Sequence, residues 1–249
     1  MKSLCLAIVL SLVLVGSVSA QTDPIINEFV VDHTGSDQFE FVEILGDPFT
    51  DYSDWTVLEI EGQSSSPGTI DDYTPVVGTT NGSGYWVSSF TGNAVENGTL
   101  TLLLVKNFVP VAGEGTGDDI DANDDGTIDT TFWDSIADCV GLNDEGAGDH
   151  VYCSTVLTDN YDGQPFTPGG ASRIPNGTDT DTAGDWRRND FGDGGVAANT
   201  AAGLPGGDLS TLDPSFEALN TPGLVNEIPE PGTLALLSIG ALCLLRRRS

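Results

Sequence analysis

The chain has 249 residues, with 38 Asp plus Glu against 8 Lys plus Arg, a formal net charge of −30, and only two histidines. That balance excludes nucleic acid and anionic membrane surfaces as partners of the bulk of the protein, because like charges repel it from both. The length suffices for one sizeable core or two small ones. Abundant Gly, Asp, Thr and Asn, with aromatic and β-branched residues in short clusters, predict an all-β fold.

At the start, Lys2 precedes an apolar run from Leu4 to Val15, followed by Gly16-Ser17-Val18-Ser19-Ala20, the small side chains a signal peptidase requires. Residues 1–20 therefore read as a secretory signal peptide cut between Ala20 and Gln21. Cys5 lies inside the apolar run and not at the cut, which argues against a lipoprotein.

Residues 21–227 read as the exported body. Lys2 and Arg246 to Arg248 account for four of the eight bases and Glu230 for one of the 38 acids, so the body carries 37 acids against Lys106, Arg173, Arg187 and Arg188. Such acidity fits a solvated surface, with hydrated cations as the specific alternative. Two cysteines remain, Cys139 and Cys153, and an even pair in an exported domain predicts a disulfide. Two buried thiols, or a metal pair lacking its other ligands, are the alternatives.

Along the body, 25–31 is the first predicted strand, entered from Pro24. The stretch 39–45 alternates Phe39, Phe41, Glu43 and Leu45 on one face with Glu40, Val42 and Ile44 on the other, so Glu43 faces a mostly apolar side. A third strand is predicted over 55–60. Together Ile26-Asn27-Glu28, Phe41-Val42-Glu43-Ile44 and Asp54-Trp55-Thr56-Val57 resemble the opening of a lamin-tail domain, with Gly46-Asp47-Pro48 and Ser53-Asp54 standing where that family has Asn-Pro and Ser-Gly. The resemblance implies an immunoglobulin-like β-sandwich of a kind that decorates secreted bacterial proteins.

Strands are next predicted over 84–88 and 99–105, each after an Asn-Gly pair, Asn81-Gly82 and Asn97-Gly98, which are hairpin cues. The sequons at Asn81, Asn97 and Asn176 read as turns, because tight turns select the same residues. The acidic stretch 119–129 carries the one explicit chemical signature. Asp121, Asn123 and Asp125 at alternate positions, Gly126 at the bend, the Thr127 carbonyl and the Asp129 carboxylate supply the oxygens calcium prefers. Phe132 occupies the place of the usual bidentate Glu, so a β-loop calcium site is expected and not an EF-hand; the alternative is an acidic turn.

A strand is then predicted over 133–140, with 149–153 pairing nearby. From Gly169 onward, Arg173-Ile174-Pro175-Asn176-Gly177, Asp185-Trp186 and Asn220-Thr221-Pro222-Gly223 resemble the closing half of lamin-tail-like domains, which end in a Thr-Pro-Gly strand. The middle of the chain then reads as an insertion. Arg173 is expected to pin this segment by pairing with a carboxylate, with anion binding as the alternative. The tract 192–207 reads as a long flexible loop.

No Gly-x-Ser-x-Gly elbow, His-Glu-x-x-His or phosphate loop occurs, so no catalytic residues are assigned and no enzyme is expected. Glu28 and Glu43 are the most sharply placed acids. They are expected to accept backbone or turn hydrogen bonds; the competing reading is a secreted hydrolase of polysaccharide or phosphoester using paired carboxylates.

The chain closes with Pro229-Glu230-Pro231, an apolar run from Leu234 to Leu245 and Arg246-Arg247-Arg248. The run is short for a transmembrane helix, which needs about 20 residues, and the arginines would stay on the cytoplasmic side. The whole string, residues 228–249, resembles the PEP-CTERM sorting signal. That implies transient membrane anchoring by this segment, cleavage by an exosortase, and delivery to the cell envelope, surface or extracellular matrix. A structural or adhesive role toward an extracellular polysaccharide or envelope component follows as the expectation, with no membrane contact once the tail is removed.

Overall fold

The computed structural model describes residues 21–32, 40–89, 95–111, 116–189 and 217–227. The expected signal peptide, the sorting segment from 228 onward, His33, Phe39 and the tract 192–207 lie outside the described residues.

Among the described residues, ten strands form two sheets: β1 (Ile25–Val30), β2 (Phe41–Leu45), β3 (Trp55–Glu61), β4 (Ile70–Pro75), β5 (Tyr85–Val87), β6 (Leu100–Lys106), β7 (Ser135–Asn143), β8 (Val156–Thr158), β9 (Gly170–Arg173) and β10 (Trp186–Arg188). A single 3-10 turn, Ala183–Asp185, is the helical element among the described residues. The first sheet has the order β10-β9-β1-β2-β5 and the second β4-β3-β6-β7-β8. All pairings are antiparallel except β7 with β8.

The sheets face each other because each strand alternates apolar residues toward a shared core. Ile26, Phe29, Val42 and Ile44 from the first sheet meet Trp55, Val57, Leu102, Leu104 and Val140 from the second. β3 and β6 are buried along nearly their whole length, which a strand covered on one face could not be. Their other parity, Leu58, Ile60, Leu103 and Val105, packs under Ile120, Trp133 and Tyr152. The acidic insertion and the 144–155 segment thus form a lid on the outer face of the second sheet. The Cys139–Cys153 disulfide ties that lid to β7.

Several sequence expectations change. Asn81 does make a tight turn, its side chain accepting from the Ser83 and Tyr85 N–H groups at 2.8 and 3.1 Å. Yet β4 and β5 lie in different sheets, as do β5 and β6, so neither Asn-Gly pair closes a two-stranded hairpin. The predicted strand over 133–140 is shifted to Ser135–Asn143. Residues 149–153 are not a strand: His150 N–H donates to the Gly62 carbonyl (2.8 Å) and Tyr152 N–H to Thr101 Oγ1 (3.0 Å), laying the segment across the sheet face. The Thr221-Pro222-Gly223-Leu224 stretch is a turn, closed by the Leu224 N–H on the Thr221 carbonyl at 2.9 Å, and not a strand.

Candidate functional site

The two acids singled out by sequence meet. An irregularity in β1 between Ile26 and Glu28 resets the β1–β2 register, so that Glu28 stands opposite Glu43. Both are fully buried on the outer face of the first sheet, where like charges opposite one another destabilise a strand pair. Donors converge on them instead. Glu28 accepts from Ser172 Oγ (2.9 Å), Asn189 Nδ2 (3.3 Å) and the Thr221 N–H (2.9 Å). Glu43 accepts from Asn27 Nδ2 (2.7 Å) and the Gly223 N–H (2.5 Å). Burial pushes Glu28 up to about 8 from its ordinary value of 4.5. Burial, and then the Glu28 charge, push Glu43 well above the carboxylate range. The pair therefore retains a proton at neutral pH.

What the pair holds is the C-terminal segment, residues 217–227. Asn226 adds to the clasp: its Nδ2 donates to the Asn27 carbonyl at 2.9 Å, and its N–H to Asn176 Oδ1 at 2.9 Å. Gly223, at φ +82°, makes the bend that brings its N–H to Glu43. The expectation that Glu28 and Glu43 accept backbone hydrogen bonds matches this geometry. The donors Asn27, Asn189 and Asn226 were not assigned from sequence, although Asn27 lies between Ile26 and Glu28 in a stretch singled out there.

Arg173 pairs with a carboxylate as expected, and the partner lies in the other sheet. Its Nη2 bonds both oxygens of Asp138 on β7 (3.0 and 2.8 Å), its Nη1 reaches Asp179 (3.0 Å), and its Nε donates to the Ile26 carbonyl (2.7 Å). The Ile26 N–H donates to the same Asp138 at 2.7 Å. The ion pair thus satisfies both backbone groups of Ile26 beside the register shift, where a strand partner is missing. The Trp186 ring lies 4.4 Å below the guanidinium.

The acidic loop is turned inward on itself. Asp121 is buried while Asn123, Asp125, Thr127 and Asp129 are exposed. The Asp121 carboxylate accepts from the Gly126 N–H (2.8 Å), the Asp125 N–H (3.2 Å) and the Tyr152 hydroxyl (2.9 Å). Those hydrogen bonds hold it below its ordinary range, against the opposing effect of burial. Among the described residues, no three His, Cys, Asp or Glu side chains form one cluster; the pattern expected for calcium also counts the Asn123 amide and the Thr127 carbonyl. Gly126 is required for the bend: its φ is +81°, and a Cβ there would stand 2.7 Å from His150 Nδ1.

Residues 227–249 match the model of the PEP-CTERM protein-sorting motif. The match begins one residue beyond Asn226, the last anchor of the clasp. Comparison with curated proteins and with solved structures returns no match. The motif marks an exported protein processed by an exosortase and directed to the cell envelope or surface. Among the described residues, no helix is long and apolar enough to cross a membrane.

Proposed function

We propose that the protein is a cell-surface or extracellular-matrix component whose body, a lamin-tail-like and immunoglobulin-like sandwich, has a structural or adhesive role and no catalytic one. One observation carries the reading: the sorting motif at 227–249 starts where the clasped segment ends. Cleavage within that motif would release a body still held by Glu28, Glu43 and Asn226. The competing reading, a secreted hydrolase working through paired carboxylates, lacks support at Glu28 and Glu43, which are sealed beneath residues 220–226 and bonded to fixed donors.

The test is location. In a host with an active exosortase the protein is expected at the surface without its tail; in an exosortase-deficient host it is expected to stay membrane-bound and uncleaved. An unchanged surface distribution in the deficient host would refute the reading.

Calcium stabilisation of the acidic loop is a second proposal, resting on the Gly126 bend within the Asp121, Asn123, Asp125 pattern. Binding would use the acceptor capacity that the three donors on Asp121 leave open, since a carboxylate offers about four lone-pair sites. A calcium-dependent rise in melting temperature, lost in the Asp121→Ala/Asp125→Ala double variant, supports it; no rise in the parent protein removes it.

A further inference from the structure

A cleft of about 350 Å³ opens along the flank where β4 and β5 are the edge strands of their sheets. That volume falls within the roughly 300–1,000 Å³ of small-ligand sites. Strand parity decides what lines it. Val42 and Ile44 point into the core, so Glu40 on the same parity of the chain faces inward too. On β3, Trp55 and Val57 face the core, and Glu59 shares their parity. Asp72 stands opposite Glu59, Thr74 opposite Val57, and Trp86 opposite Ile44. Three carboxylates and one indole thus face the inter-sheet side at the open flank. No basic residue lines the cleft among the described residues.

Glu59 lies at the bottom, lining a narrow extension of about 20 Å³ that also touches Asp72 and Thr74. It is 4% exposed. Its Oε1 accepts from the Glu96 N–H at 2.7 Å, but its Oε2 has no hydrogen-bond partner among the described residues. A buried carboxyl oxygen left without a partner is destabilising, so it calls for an explanation. Burial, and then the charges of Asp71, Asp72 and Glu96, push Glu59 up to about 9, so at neutral pH it is the acid, and a cation arriving beside it lowers its pKa, sends the proton to solvent and pairs with the carboxylate. Opposite, Trp86 is held rigid by its Nε1–H on the Val77 carbonyl at 2.9 Å.

A ring with a negative face beside desolvated carboxylates selects a cation carried on an apolar surface. The acidity of the whole body repels polyanions from the same place. We propose that this cleft binds a sugar ring bearing a protonated amine, as in a deacetylated amino-sugar polysaccharide, with Trp86 stacking on the ring and Asp72 and Glu59 receiving the ammonium and hydroxyl hydrogens. This names a ligand class for the surface-displayed binding role above and rests on that reading.

The probe is a fully deacetylated glucosamine tetramer titrated into the intact protein, followed by tryptophan fluorescence and calorimetry. Its N-acetylated counterpart, a neutral glucose tetramer and a lysine tetramer run in parallel. Saturable binding is expected for the glucosamine tetramer alone, with the acetylated and neutral sugars and the lysine peptide each weaker by about tenfold or more. Trp86→Ala and Asp72→Asn are each expected to weaken binding about tenfold. Thr74→Lys, which keeps every binding group but places a cation in the cleft, is expected to abolish it in a protein whose melting temperature is unchanged. No binding of the glucosamine tetramer, equal binding of the acetylated or neutral sugar, equal binding of the lysine peptide, or undiminished binding by Thr74→Lys would each overturn the inference. Location in the exosortase-deficient host is read separately, so binding without correct sorting would defeat the function proposed above and leave the cleft standing.

Discussion

The outer face of the second sheet is closed by Ile120, Trp133 and Tyr152, whereas that of the first is closed through Glu28, Glu43, Asn189 and Asn226. Both covers exclude water, but by different physics. Apolar burial is non-directional and indifferent to pH. A buried polar cover is directional: each donor must meet its acceptor, so it fixes one position for the covering segment. The segment fixed in this way is the one that leads into the sorting motif. An apolar patch could have slid there; hydrogen bonds from the Thr221 and Gly223 N–H groups to two opposed glutamates could not. The accompanying penalty is that the cover of the first sheet depends on a proton, whereas the apolar contacts of Ile120 and Trp133 over the second do not.

The largest expected effect removes the tie between the two sheets. Arg173→Met leaves Asp138 buried without its cation and strips the Ile26 carbonyl of its donor, and it should destabilise the protein by about 3–5 kcal/mol in denaturant unfolding. A loss below about 1 kcal/mol would mean that the pair is not the cross-sheet support described.

The covers themselves are then set against each other by pH. Leu103→Ala, beneath the apolar cover and fully buried, should cost about 2–5 kcal/mol by the same amount at every pH. Glu28→Gln should behave in the opposite way. The folded protein holds the Glu28 proton more tightly than the unfolded chain, at about 8 against 4.5, so between those values the native state binds more protons. Its stabilising contribution is complete below pH 4.5 and is lost as pH rises through about 8. The parent is therefore expected to lose up to about 5 kcal/mol across that window, and Glu28→Gln to lose less. Equal slopes for the parent and Glu28→Gln would remove the proton from the description of the first sheet. A slope altered by Leu103→Ala would remove the contrast between the covers.

Much of the framework is legible from residue pattern. β6 is a nearly continuous apolar run, and β1, β2 and β3 are short clusters of aromatic and β-branched residues, so their existence follows from residue pattern. The cysteine pair follows from compartment. Sheet membership does not follow: Asn81-Gly82 forms a local turn and Asn97-Gly98 a bend, but the strands beside them cross between sheets, and a turn signal has no information about that. β4, β8 and β10 carry too few apolar residues to stand out, Ile70 being the one fully buried apolar side chain of β4. The position of Glu43 on an apolar parity was readable, whereas its partner Gly223 lies 180 residues away. Glu59 was readable in the same way, as the acid sharing a face with Trp55 and Val57; what hid it was the alternation of β3 being apolar on both faces. The acidic loop has a contact that spacing could not show. Its spacing matches a calcium loop, but Tyr152, 31 residues further along the chain, donates to the first carboxylate of the pattern.

The sorting account is tested most directly by the intact mass of the protein recovered from the surface of exosortase-proficient cells. The predicted mass corresponds to a chain that begins at Gln21, keeps Asn226 and ends within 227–249. A surface protein retaining Arg246, Arg247 and Arg248, or one cut before Asn226 so that the clasp is lost, would contradict it.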